Sequence, residues 1–249
     1  MRHFLLTVIT LTLFGNVSGQ KIEFSASLNS GLFSFIGGYA VKTTFLQTGS
    51  NSIGPAIIGN SLGAKGGLCH GGSVNFKRII QKKYFFGVDL GYEVLRSRAE
   101  ITQVYEHTPN PSGSGFTSVV LNITGNAFTN NSFINTNPFV GYRCKYKQTN
   151  FDLIAGMDIG YYLKVSERGN AKKTDGTNYE IDYSNVYKNI NFDFRPRFQV
   201  SSNYKKLGVY FGYAYGVSSY DPMNLHIRTS RLIRFGLSYQ LLTTNKNVK

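Results

Sequence analysis

In residues 84–94 (YFFGVDLGYEV) apolar and polar side chains alternate without a break. Tyr84, Phe86, Val88, Leu90, Tyr92 and Val94 share one face, and Gly87, Asp89, Gly91 and Glu93 share the other. Side chains alternate across an extended strand, so such a segment has one greasy face and one charged face. In a soluble sandwich the greasy face would be the inside. Here the second face carries acids, bases and glycines in strand after strand, which suits a wet lumen. The pattern predicts an all-β chain, a transmembrane antiparallel up-and-down β-barrel.

Eight strands are predicted, at about 21–35, 62–79, 84–97, 137–147, 151–165, 187–201, 207–217 and 231–241. Short turns (Gln81-Lys82-Lys83, Gln148-Thr149-Asn150, Asn203-Tyr204-Lys205-Lys206) alternate with long loops, of which 36–61 and 98–136 are rich in Asn, Ser, Thr and Gly. Short turns on one side, long loops on the other and an even strand number are the plan of a bacterial outer-membrane barrel. The phase slips near Ser30-Gly31, where a bulge is expected. Pro196 falls on an outward face, where its missing donor argues for a second one.

Residues 1–19 read as a signal peptide: Arg2 and His3 open it, and the apolar core at 4–14 is too short to span as a helix. The barrel domain then takes 20–249. A net charge of +14 would suit nucleic acid, but the export signal and the scattering of bases over strands and turns favour anionic lipid headgroups. Cys69 falls on an inward phase and Cys144 on an outward one, so a disulfide between them is not expected.

The inward phases collect Glu23, Asp89, Glu93, Asp152, Asp158 and Asp193 with Lys65, Lys77, Arg143, Lys145, Lys164, Arg195, Arg197 and Arg234. An eight-stranded barrel is just wide enough for side chains to fill it, so these predict a packed lumen charge network. A narrow pathway for small ions is the alternative, and the surplus of bases would favour anions.

No catalytic, cofactor or metal site is expected. A lipid-modifying barrel would need a His with a Ser and an acid near the outer leaflet. His70 and Ser73 take opposite phases, and His107 and His226 fall in loops. Two cysteines that do not pair and scattered histidines lack zinc-ligand spacing. Recognition is expected in the loops, where Lys172, Lys173 and Arg228 could meet lipopolysaccharide phosphates and the Tyr-rich stretch 177–187 a protein.

The apolar leader followed by Lys21-Ile22-Glu23-Phe24, the Gly/aromatic strands and the closing segment 231–241 resemble bacterial outer-membrane β-barrel proteins, in particular the PorT-like outer-membrane β-barrel domain. The resemblance implies an outer-membrane location and a last strand read by the outer-membrane assembly machinery, a role that falls on Ile233, Phe235, Leu237 and Tyr239. It fixes no function. The sequence is read as a non-enzymatic outer-membrane protein with a surface-interaction or envelope-support role. Its partners would be outer-membrane lipids and lipopolysaccharide, with no nucleic acid and an unnamed protein partner. The alternatives are a small passive ion channel or porin, a lipid-A-modifying enzyme and a soluble periplasmic ligand-binding β-barrel. The family name alone adds a periplasmic part in protein secretion.

Overall fold

The computed structural model describes residues 21–48, 56–110, 116–184, 190–220 and 228–245; the expected signal peptide at 1–19 lies outside them. The strands are β1 (Lys21–Gly37), β2 (Thr43–Gln47), β3 (Ile57–Ile58), β4 (Lys65–Ile80), β5 (Tyr84–Pro109), β6 (Phe116–Tyr146), β7 (Thr149–Lys173), β8 (Asn178–Ser184), β9 (Phe192–Tyr204), β10 (Leu207–Tyr215) and β11 (Arg228–Asn245). Eight of them close a ring: β1, β4, β5, β6, β7, β9, β10 and β11 pair in that order, all antiparallel, and β11 returns to β1. This is an eight-stranded up-and-down β-barrel.

Its polarity is inside-out. Leu28 and Leu237 on the outer wall are 72% and 63% exposed, whereas Asp152, Asp193 and Arg195 in the lumen have no exposure. An apolar belt of this extent is costly in water, and buried charge is tolerated only when paired. Both features suit a wall that faces lipid. Exposed aromatics edge the belt: Tyr84, Tyr146 and Tyr204 at the short-turn end, Tyr92, Tyr161 and Phe192 at the other. The stretch 84–92 between two of them matches the ~9–11 residues that a tilted strand needs to cross a bilayer.

The short turns are tighter than the sequence suggests. Tyr146 pairs with Thr149 and Tyr204 with Leu207, so the loops are Lys147-Gln148 and Lys205-Lys206. Gln81, Lys82, Lys147 and Lys205 all take positive φ, between 50° and 64°.

Three local expectations need correcting. The slip near Ser30-Gly31 is absent, because β1 keeps one register against β4 throughout; the irregularity lies against β11, where Leu241 is the extra residue beside Phe24 and Ser25. Pro196 makes no bulge: it pairs in register with Met157, and the β9–β10 ladder stops beside it, at Arg197 with Ala214. In β7 the alternation does not run on to Val165. Leu163 is an extra residue opposite Ser132 and Phe133, and it turns Val165 inward and Lys164 outward.

The larger correction concerns the long loops. Much of 98–136 is strand, because β5, β6 and β7 run far past the belt. β2 pairs parallel to the extension of β5, β3 pairs with β2, and β8 pairs with the extension of β7. These segments form a headpiece with an apolar core that includes Leu46, Ile58, Ile101, Val104, Ile123, Ala127, Ala171 and Ile181. A register shift between Ile101 and Gln103 puts Ile101 and Val104, three positions apart, in that one core. The shift breaks the period-two signal, and the many Asn and Thr residues around it gave the stretch the composition of a loop.

Candidate functional site

From the short-turn end upward, the lumen is a series of layers. The lowest is centred on Arg143, which β6 aims inward. Its Nη1 and Nη2 donate to Glu23 Oε1 and Oε2, both at 2.9 Å. Its Nε and Nη2 donate to Asp152 Oδ1 and Oδ2 at 2.6 and 2.8 Å. Lys77 Nζ donates to Asp152 Oδ2 at 2.7 Å and stands 4.8 Å from the Phe85 ring centre. One guanidinium thus grips two carboxylates, the geometry in which charge-assisted bonds are strongest.

Above it lies a polar cavity of about 80 Å³ whose lining includes Ser27, Asn29, Ser73, Tyr210 and Ser238. It has room for little more than a few waters. A second charge layer follows. Glu93 accepts from Arg195 Nη2 and Arg234 Nη2, each at 2.6 Å. Asp158 lies 3.2 Å from Arg234 and 3.4 Å from Arg197 and accepts from Asn137 Nδ2 at 2.8 Å. Arg197 also donates to Asp89 Oδ2 at 2.5 Å, and Asn75 donates to the other Asp89 oxygen.

At the loop end Asp193 accepts from Tyr220 Oη at 2.6 Å and Ser230 Oγ at 3.1 Å. Tyr220 belongs to an apolar plug that includes Phe33, Phe35, Leu95, Phe133, Tyr162 and Leu232, all buried. Phe33, Phe35 and Tyr220 meet edge to face, and the Arg195 guanidinium sits 5.2 Å from the Phe133 ring centre. This plug puts buried apolar side chains above the second charge layer.

Of the charged residues the sequence sends to the lumen, eleven meet in these layers: Glu23, Lys77, Asp89, Glu93, Arg143, Asp152, Asp158, Asp193, Arg195, Arg197 and Arg234. Lys65, Lys145 and Lys164 do not. Lys65 lies beyond a register shift in β4 and pairs with Glu100 on β5. Lys145 keeps the inward phase but sits at the rim beside the turn, exposed. Lys164 is turned out by the Leu163 bulge. Without them the lumen has five bases against six acids, and the basic surplus that would have favoured anions moves to the outside. The partners that sequence reasoning missed are mostly uncharged. Asn75 and Asn137 share phases with named charges, whereas Tyr220 comes from a loop.

On the outer wall, just above the upper aromatics, Arg96 and Arg98 stand on β5 and Lys164 and Arg168 on β7, the two strands that flank β6. Arg96 Nε donates to Asn130 Oδ1 at 2.7 Å, and its guanidinium covers the Phe128 ring at 5.6 Å. Arg228 covers Tyr39 at 4.5 Å. Lys172 is exposed, and Lys173 pairs with Asp175 at 3.2 Å. In the headpiece Asp175 is held down to about 2 by the Thr177 amide that donates to it, whereas burial pushes Glu167 up.

His70 is exposed on the outer wall and Ser73 faces the cavity. His107 finds a partner that the sequence did not foresee: its Nδ1 lies 2.8 Å from Ser118 Oγ across the β5–β6 hairpin. Its Nε2 meets the amide of Gln47 at 2.9 Å, not a carboxylate. His226 lies outside the described residues. Cys69 is buried and Cys144 exposed, both free.

No family model and no curated protein matches the chain. Among solved structures it is similar to Neisserial surface protein A, at a TM-score of 0.39 and 9% identity, over 88% of this chain and 97% of that one. It is similar also to Ail, the attachment invasion locus protein of Yersinia pestis, at a TM-score of 0.32 and 10% identity, over 90% of this chain and 100% of that one. For the toluene transporter TodX of Pseudomonas putida the TM-score is 0.20 and the identity 9%, over 92% and 91% of the two chains.

Proposed function

We propose that the chain is a non-enzymatic outer-membrane protein that does not conduct, and that it works through its headpiece. The observation that carries this reading is the headpiece core, Leu46, Ile58, Ile101, Val104, Ile123 and Ile181, built on strands that run well beyond the belt. Loops that only closed a barrel would need no core of their own. A folded platform held above the membrane suits surface interaction or envelope support. The lumen supports the same reading, since its charges are paired and its upper end is apolar.

In this reading the short turns face the periplasm and the headpiece faces outward. Arg96, Arg98, Lys164 and Arg168 then lie at the level of outer-leaflet phosphates, where lipopolysaccharide is the partner. The outward face of β11, Ile233, Phe235, Leu237 and Tyr239, serves as the assembly signal of the PorT-like resemblance. Fractionation tests the location: the unboiled protein should sit in the outer-membrane fraction and shift in mobility on boiling. Planar-bilayer recording tests whether the lumen conducts, and stable conductance steps from the wild-type chain would favour the channel reading instead.

A further inference from the structure

Exposed bases gather at the lower rim of the barrel. Lys82, Lys83, Lys145, Lys147, Lys205 and Lys206 are all exposed there. The acids nearest them, Glu23 and Asp152, are buried in the lumen, and among the described residues no exposed carboxylate offsets the rim. Lys82, Lys147 and Lys205 adopt φ of 64°, 52° and 51°. Glycine or asparagine takes that left-handed conformation at lower cost, so the turn geometry alone does not account for lysine. Lys147 and Lys205 also fold back over the rings of Tyr146 and Tyr204, each 5.4 Å from the centre. Their ammonium groups therefore lie at the level of the aromatic girdle and do not project away from the barrel end.

Next to this rim the outer wall carries an apolar groove of about 490 Å³. Tyr84, Phe86 and Tyr142 form one side, Leu153 and Phe198 the other, with the small Ala155 between them. The turn that bears Lys82 and Lys83 joins two residues of its lining, Ile80 and Tyr84, and is tied to β6 by a 2.6 Å bond from Arg143 N to Lys83 O. An open apolar groove beside turns that carry unopposed ammonium groups matches one kind of molecule.

We propose that this rim and groove form a site for an anionic phospholipid of the leaflet at the short-turn end, with an acyl chain in the groove and the phosphate on the turn lysines. The proposal rests on the membrane-spanning reading above. It adds a lipid class and a place. Charge complementarity selects the anionic headgroup, and the lysines folded onto Tyr146 and Tyr204 select a membrane lipid over a partner in the aqueous phase.

The test is native mass spectrometry of the full chain in detergent, offered phosphatidylglycerol and phosphatidylethanolamine of identical acyl chains in equal amounts. The wild type should retain phosphatidylglycerol in preference, by about fivefold or more, the factor for one cation at an anionic surface. The triple variant Lys82→Asn, Lys147→Asn, Lys205→Asn should cut that preference at least severalfold, with Lys83, Lys145 and Lys206 left in place. Asparagine accepts the left-handed turn, so this variant should fold at least as well. Ala155→Phe, which fills the groove, should lower retention with the lysines intact. Equal retention by the wild type, or a preference unchanged in the triple variant, overturns the site, and retention unchanged by Ala155→Phe overturns the groove as its seat. Insertion into vesicles with a heat-dependent gel shift is followed in parallel. A chain that inserts but shows no preference overturns this inference alone; one that never inserts overturns the membrane reading with it.

Discussion

Arg143 on β6 and Glu23 on β1 join across the barrel through two bonds of 2.9 Å, although β4 and β5 stand between their strands in the ring. The tie crosses the lumen and does not follow the wall. It closes the base of the barrel where the strand ends would otherwise splay.

Removing one member of a buried ionic cluster strands the others. Arg143→Met should cost about 3–5 kcal/mol, because Glu23 and Asp152 lose their shared partner. Glu23→Gln should cost less, since Arg143 keeps Asp152. Urea titration of the unboiled gel form measures both, and equal losses for the two variants would contradict the central role of Arg143.

The headpiece has a core separate from the apolar plug, so it should fail separately. Val104→Asp places a charge among Leu46, Ile101 and Ile123 and should melt the headpiece. The barrel should still shift in mobility on boiling. Limited proteolysis should remove the headpiece from this variant and leave a barrel-sized core. Loss of the heat shift in Val104→Asp would mean that the two parts fold as one.

Two headpiece carboxyls should respond to pH in opposite senses. Glu167 has its pKa raised by burial. Its charge is a burden at neutral pH, and headpiece stability should rise as pH falls through its folded pKa toward its ordinary value of 4.5. Glu167→Gln should stabilise the headpiece at pH 7 and abolish that rise. Asp175, held at about 2 against an ordinary 3.8, contributes stability above 3.8 that is lost as pH falls toward 2. Carboxyl-resolved NMR titration checks both directions.

The two thiols should differ in access. Cys144 is exposed on the outer wall and Cys69 is 2% exposed inside. A small maleimide should add one label to the folded chain in detergent and a second only after boiling. Prompt double labelling would contradict the inward placement of Cys69.

The sequence by itself determined the strand periodicity, the inside-out polarity and the alternation of short and long connections. All of these follow from which side chain points which way along one strand. Asp152, Asp158, Arg195 and Arg197 could be placed inward because their strands keep one phase around them. Tertiary structure decided what depends on a partner strand. The bulge at Leu163 exists only against Ser132 and Phe133, and it alone sends Lys164 outside. Lys65 finds Glu100 only through the β4–β5 pairing, and Ile101 and Val104 share a core only through a shift against β6. A one-residue slip inverts every side chain beyond it, and the slip is set by the neighbour's hydrogen bonds, which no single strand encodes.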